Sequence, residues 1–292
     1  MTAAGQWTTR SLTVGPIRWT LSAEPALGHA VDRLLDGVAT PATPLDPARL
    51  SLHVSLAVAA ELANRRERPR LPWFAPDGDT FVDRSQGWDA RLAVRDTDVQ
   101  ADFELVDVAG FGAEWAPTLM ALNVAAALRV SLGMAAPSAE ALLFHGAALS
   151  HPTLGAALFL GATGEGKSTM SRRLPGWRLH SDDAALVWRT RSGWWVAGTP
   201  LPGKEALPRS LEPAPLRALV ALKPHAPSLE LHRLGQGDAG FQLMSRLLWF
   251  GEPTEALASL IADLATSVPS WRLSSNLGHE VEPPLVAAIG VA

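Results

Sequence analysis

Residues 158–174 read LFLGATGEGKSTMSRRL, and this stretch decides the fold class. An apolar run, Ala156–Leu160, enters a glycine-rich turn, and a short run of helical character leaves it at Lys167. Gly161, Gly166, Lys167 and Ser168 satisfy the phosphate-loop spacing G-x-x-x-x-G-K-[ST]. Ala162, Thr163, Gly164 and Glu165 fill the variable positions, and Thr169 follows. Glycines permit positive φ and let backbone N–H groups curl around phosphate oxygens. The helix that follows turns its N-terminal N–H groups towards the same anion. The lysine reaches the β- and γ-phosphates of a nucleotide, and the Ser168 hydroxyl is placed for Mg²⁺. The chain has only three lysines (Lys167, Lys204 and Lys223), and one falls at this position. A glycine-rich surface turn is the plain alternative. It does not account for the strand before the loop and the helix after it, a context the motif requires.

Working outward, the helix ends at Pro175-Gly176 and the chain returns to Ser181-Asp182-Asp183, fifteen residues beyond the lysine. A short helix followed by a strand brings these carboxylates to the same sheet edge as the loop. One can hold Mg²⁺, directly or through water. The other can orient or deprotonate an attacking hydroxyl. A turn or helix cap is the competing reading of Ser-Asp-Asp. Upstream, Leu142–Leu149 and Ala156–Leu160 read as a hairpin around the turn His151–Gly155. Downstream, Gly193–Gly198 is a strand, and the loop Thr199–Pro208 carries Lys204 and Glu205, either reaching a phosphate or solvated. Strands at Ala218–Leu222, Leu229–Leu231 and Ser270–Leu273 alternate with helices at Ala239–Leu248, Glu255–Thr266 and Pro284–Ile289.

The first half reads differently. Strands are expected in Gln6–Leu21, Leu50–Val58, Thr80–Val82, Arg91–Val94 and Val99–Val106. Helices are expected from Glu24-Pro25 and over Trp115–Leu132. His53, alone on an alternating strand, reads as structural. Arg65, Arg66, Arg68 and Arg70 read as a solvated loop or as a docking patch for an acidic partner. Pro137-Ser138 marks the junction, giving an α+β domain over 1–137 and a phosphate-loop domain over 138–292. The fold class is α/β.

Composition narrows the function. With 47% hydrophobic and 18% charged residues, the chain can bury a sizeable core. A net charge of −4 supplies no basic field for nucleic acid. The absence of cysteine excludes disulfides and thiolate chemistry. The N-terminal stretch lacks an apolar core for export. The most apolar helical run, Ala116–Leu128, stops at Arg129, too short for a bilayer. A cytoplasmic protein without a membrane span is therefore expected. None of the three asparagines begins an N-K-x-D motif, which argues against a GTPase, and no L-S-G-G-Q-like segment follows the loop.

The second half, Leu142 to Leu273, resembles the kinase domain of HPr kinase/phosphorylase, and more closely the shorter HPr-kinase-related proteins. These share a phosphoenolpyruvate-carboxykinase-like core with a mixed sheet. The matching residues are His145-Gly146, Gly161–Thr169 and Asp182-Asp183, with weaker likeness at Pro202–Glu205 and Val268-Pro269. The resemblance implies ATP and Mg²⁺ as cofactors and transfer of the γ-phosphoryl group to a hydroxyl, often of serine. It implies that Lys167 and Ser168 bind phosphates and metal. It gives Asp182 and Asp183 the base and metal-ligand roles, with Asp183 taken as the ligand, and sets His145 beside them. The longer downstream signature of true HPr kinase/phosphorylases is absent, which points away from HPr as acceptor. Related proteins accompany peptide-tailoring systems, lasso-peptide kinases among them. A ribosomal precursor peptide is thus the implied partner, docked with help from Arg65–Arg70, and the family kinases often form homo-oligomers. A small-molecule kinase acting on free serine and a non-catalytic nucleotide-binding scaffold are the alternatives.

Overall fold

The computed structural model describes residues 7–36, 38, 48–59, 75–77, 80–84, 88–95, 97–106, 114, 116–201, 203 and 210–290. The Arg65–Arg70 run and the Lys204-Glu205 pair lie outside these residues. The chain is mixed α/β with two mixed sheets, and it forms two compact units that divide between Ala139 and Glu140. The short segment Trp249–Glu252 groups with the first unit.

The first unit holds β1 (Thr8–Val14), β2 (Ile17–Ala23), α1 (Pro25–Leu35), β3 (Leu50–Ala59), β4 (Ala75–Asp77), β5 (Thr80–Arg84), β6 (Trp88–Arg95), β7 (Asp98–Val106) and α2 (Ala116–Ala135). Its sheet order is β1-β2-β3-β7-β6-β5-β4. The β2–β3 and β3–β7 pairings are parallel, and hairpins extend the sheet on both sides. Alternation dictates which face is covered. Ile17, Trp19, Leu21, Leu52, Val54, Leu56, Leu92 and Phe103 are buried, while intervening residues such as Arg18, Asp102 and Glu104 are wetter. His53 sits among the latter, with Nε2 3.3 Å from Asp98 Oδ1.

Helix α2 corrects one expectation. The apolar run does not stop at Arg129. The helix continues to Ala135, and with the 3₁₀ turn Ala136–Ala139 it is long and apolar enough to cross a membrane by length and composition. Most of its apolar window is buried inside the protein, where Val124, Leu128 and Leu132 are fully covered. A long basic side chain can bury its stem while its head stays polar, so a single arginine need not interrupt such a helix.

The second unit holds β8 (Ala141–His151), β9 (Gly155–Leu160), α3 (Lys167–Arg173), β10 (Arg178–Ser181), β11 (Ala184–Thr190) and β12 (Gly193–Gly198). It continues with β13 (Ala214–Lys223), β14 (Glu230–Arg233), α4 (Gln236–Met244), α5 (Glu255–Ser267), β15 (Ser270–Ser274) and α6 (Glu282–Gly290). The expected β8–β9 hairpin is present, with Gly146 opposite Leu160 and His151 opposite Gly155. β9 pairs in parallel with β13, and β13 with β15. The long strands β8 and β13 are shared, because β11 pairs with β8, β12 with β11 and β13 with β12. The pairings β8–β9–β13–β12–β11 therefore close on themselves. One face of the sheet is covered by α3 and α6, where Met170, Leu174, Leu285 and Ile289 pack on Leu149, Phe159, Val220 and Leu273. Trp177 belongs to the same core, and its indole N–H donates to Glu282 at 3.0 Å.

Beneath the sheet edge, His180 on β10 is buried, with Nε2 2.8 Å from the Ser150 hydroxyl. Burial first, then the nearby Arg178 charge, lowers its pKa from 6.5 to about 4. Above the unfolded value both states are neutral and stability is unaffected. As pH falls from 6.5 through 4, the unfolded chain binds a proton that the native chain refuses, so stability is lost across that window. The loss amounts to about 3 kcal/mol. Urea unfolding followed between pH 7 and 4 should show this slope, and His180→Gln should flatten it.

Candidate functional site

Strand directions bring the sequence-predicted residues to one edge. β10 is antiparallel to β8 and β8 to β9, so β9 and β10 run the same way and end together. The loop after Leu160 and the Asp182-Asp183 pair after Ser181 therefore emerge side by side. His145 joins them because β11 begins at Ala184, directly opposite His145 on β8.

Local sequence shapes the loop. Gly164 and Gly166 have φ of 89° and 93°, a region that side-chain-bearing residues adopt only with strain. The curl that results encloses Lys167, which is 6% exposed. Its ammonium donates to the carbonyls of Gly161 at 2.8 Å and Ala162 at 3.0 Å. A nearly buried ammonium needs such partners, and a bound anion can compete for it. Glu165 folds back, its carboxylate accepting from the Ala162 N–H. The guanidinium of Arg246 stands 3.6 Å from the same Glu165 oxygen.

The carboxylates are held differently from one another. Asp183 Oδ1 lies 3.1 Å from His145 Nδ1, and the Asp183 carbonyl accepts from the Gly146 N–H at 3.0 Å. The Ser181 hydroxyl accepts from the N–H groups of Asp183 and Ala184, which fixes the turn between β10 and β11. Asp182 is 3% exposed, and Gly203 lies directly against its carboxylate, so that a Cβ at 203 would overlap it. A cleft of about 270 Å³ gathers His145, Lys167, Ser168, Asp182 and Asp183, with Thr163, Gly164, Gly166 and Thr169 as its loop wall. No protein-family model matches this chain, and no curated protein matches it. What the site can do follows from its own chemistry.

Among the described residues, no cluster of three or more His, Asp or Glu side chains forms a metal cage. The cleft instead offers the Ser168 hydroxyl and the Asp182 and Asp183 carboxylates. This donor set fits Mg²⁺, which is commonly held by one or two carboxylates and otherwise by water and phosphate oxygens.

A second cavity, about 200 Å³ and more apolar, lies on the other flank of the loop and shares Gly164, Gly166 and Thr169 with the first. Leu222 on β13 lines it, with His225 in the turn after β13 and Asn276 and Leu277 in the turn after β15. His225 has φ of 61°, a value uncommon outside glycine. Sequence reading did not single out these residues, nor Arg246. They enter the site only through the parallel pairing of β9, β13 and β15 and through the turn after α4, and no local motif marks them.

Proposed function

We propose that the second unit is a phosphate-loop kinase domain of the HPr kinase/carboxykinase type. In this reading it transfers the γ-phosphoryl group of ATP to a hydroxyl, typically a serine, of a peptide or protein. The observation that carries the reading is the single cleft shared by the loop lysine, the loop hydroxyl and two adjacent carboxylates, one of them paired with His145. The second cavity supports it, since a more apolar recess on the other flank of a phosphate loop suits a nucleoside base. Phosphoryl transfer asks a protein mainly for positioning and charge stabilisation, and these side chains can supply both.

Each residue then has a role. Lys167 leaves the carbonyls of Gly161 and Ala162 and places its charge on the phosphate chain. Backbone N–H groups of Gly161–Thr169 line the anion. Ser168 and Asp183 are the ligands offered to Mg²⁺, which when bound offsets phosphate charge. His145 fixes the rotamer of Asp183. Asp182 accepts the proton of the attacking hydroxyl as that oxygen bonds to phosphorus and the bond to the ADP oxygen breaks. A cytoplasmic setting, where ATP is supplied, accompanies this reading, and a precursor peptide is its preferred acceptor.

The test follows the γ-phosphate. Purified protein is given γ-labelled ATP and Mg²⁺ with serine-bearing peptides, including the small peptide encoded nearest to the protein, and separately with free serine. Label on a peptide is the expected result. Label on free serine moves the assignment to a small-molecule kinase. ATP binding with no transfer to any acceptor favours a nucleotide-binding scaffold.

A further inference from the structure

The phosphate loop is closed on one of its own acids. The carboxylate of Glu165 accepts from the Ala162 N–H, a donor of the same curl that would face a phosphate, and lies against Gly161. It is thus an internal anion at a loop built for an external one. Arg246 stands over it, with Nη2 3.6 Å from the Glu165 oxygen. The arginine is far from saturated. Its Nη1 donates to the Ser245 carbonyl at 3.2 Å, while its Nε is buried with no hydrogen-bond partner among the described residues. A buried guanidinium N–H without an acceptor is costly, and a planar fork with spare donors suits a phosphate group. The position of Arg246 is well defined, because its carbonyl accepts from the His145 N–H at 2.7 Å and its own N–H donates to Leu243 at 3.1 Å. The residue is therefore anchored to the strand that carries one of the cleft's own side chains.

We propose that Arg246 is a further phosphate-binding residue of this site, held by Glu165 until a polyphosphate displaces that carboxylate from the loop. This rests on the nucleotide reading above and deepens it. The incoming phosphate takes over the Ala162 N–H and then receives the guanidinium, so that one anion is exchanged for another. Glu165 opposes binding twice, by occupying a donor and by repelling a like charge. Arg246 favours binding with charge-assisted hydrogen bonds that the Glu165 contact, at 3.6 Å, does not make fully.

The experiment is calorimetric titration of the full-length protein with Mg²⁺-pyrophosphate, the phosphate chain alone, and with a non-hydrolysable ATP analogue. Glu165→Gln should tighten pyrophosphate binding about tenfold, and Arg246→Ala should weaken it by about tenfold, the scale of one charged hydrogen bond. The loss on Arg246→Ala should be larger in the Glu165→Gln background than in wild type, because there the arginine has no competing partner. Arg246→Lys, which keeps the charge but not the fork, should recover only part of the affinity. Glu165→Ala repeats the test should the glutamine variant fold poorly, with thermal unfolding of every variant recorded alongside. If wild type binds the ATP analogue and pyrophosphate but neither Glu165 variant binds more tightly, or Arg246→Ala binds equally well, the exchange is overturned and the nucleotide reading stands. If no protein binds either probe, the nucleotide reading itself falls.

Discussion

Lys167→Ala is expected to lower phosphoryl transfer by about 10²–10³-fold or more, the cost of deleting one group aimed at charge developing in the transition state. Lys167 is enclosed by the loop, and its ammonium already sits on two loop carbonyls. A short swing takes it to a bound phosphate. Lys167→Met keeps the aliphatic stem and its packing while removing the charge, so it should lose nearly as much rate with less damage to the loop. Transfer of label from γ-labelled ATP, measured beside analogue binding by calorimetry, separates the two effects. A Lys167→Ala protein that transferred label at a near-normal rate would remove the phosphate loop from the reaction.

The second large effect concerns Asp182. Asp182→Asn preserves shape and removes the proposed base, and should lower kcat by about 10²–10⁴-fold, the usual worth of a positioned general base. Affinity for the ATP analogue should change little, since in the proposed reaction the carboxylate acts on the acceptor side. Gly203→Ala should reproduce the defect without touching the carboxylate chemically. A Cβ at 203 would collide with the Asp182 side chain and turn it out of the cleft. Equal losses of rate and of nucleotide affinity in Asp182→Asn would instead make Asp182 a metal ligand, exchanging its role with Asp183. Asp183→Asn should show that affinity loss if the assignment is right, and a Mg²⁺ titration of each variant distinguishes the two.

The pattern of what could be read in advance has physical reasons. Gly164 and Gly166 announce positive φ because few other residues tolerate it, and Lys167 and Ser168 follow them at fixed spacing on the same turn. The β8–β9 hairpin and the return to Ser181-Asp182-Asp183 are also short-range, so alternation and turn residues suffice to place them. The apolar length of α2 was read too short for a related reason. A charged residue is a local signal, but whether an apolar stretch continues past it depends on how its stem and head are accommodated in the tertiary structure.

By itself, then, the sequence determined the glycine-rich turn at Gly161–Gly166, its strand–loop–helix setting and the α/β class. It also placed the carboxylate pair a short helix and strand away, because these features are encoded within a few residues of one another. Only the tertiary structure decided the rest. It set His145 against Asp183 through the β8–β11 register, and Gly203 against Asp182 by a close backbone approach. It brought Leu222, His225 and Asn276 to the second cavity through parallel pairing, and it placed Arg246 over Glu165. Those neighbours are distant in the chain, and no short-range preference of the backbone or of hydrophobic spacing fixes which residues meet when strands from separate segments come into register.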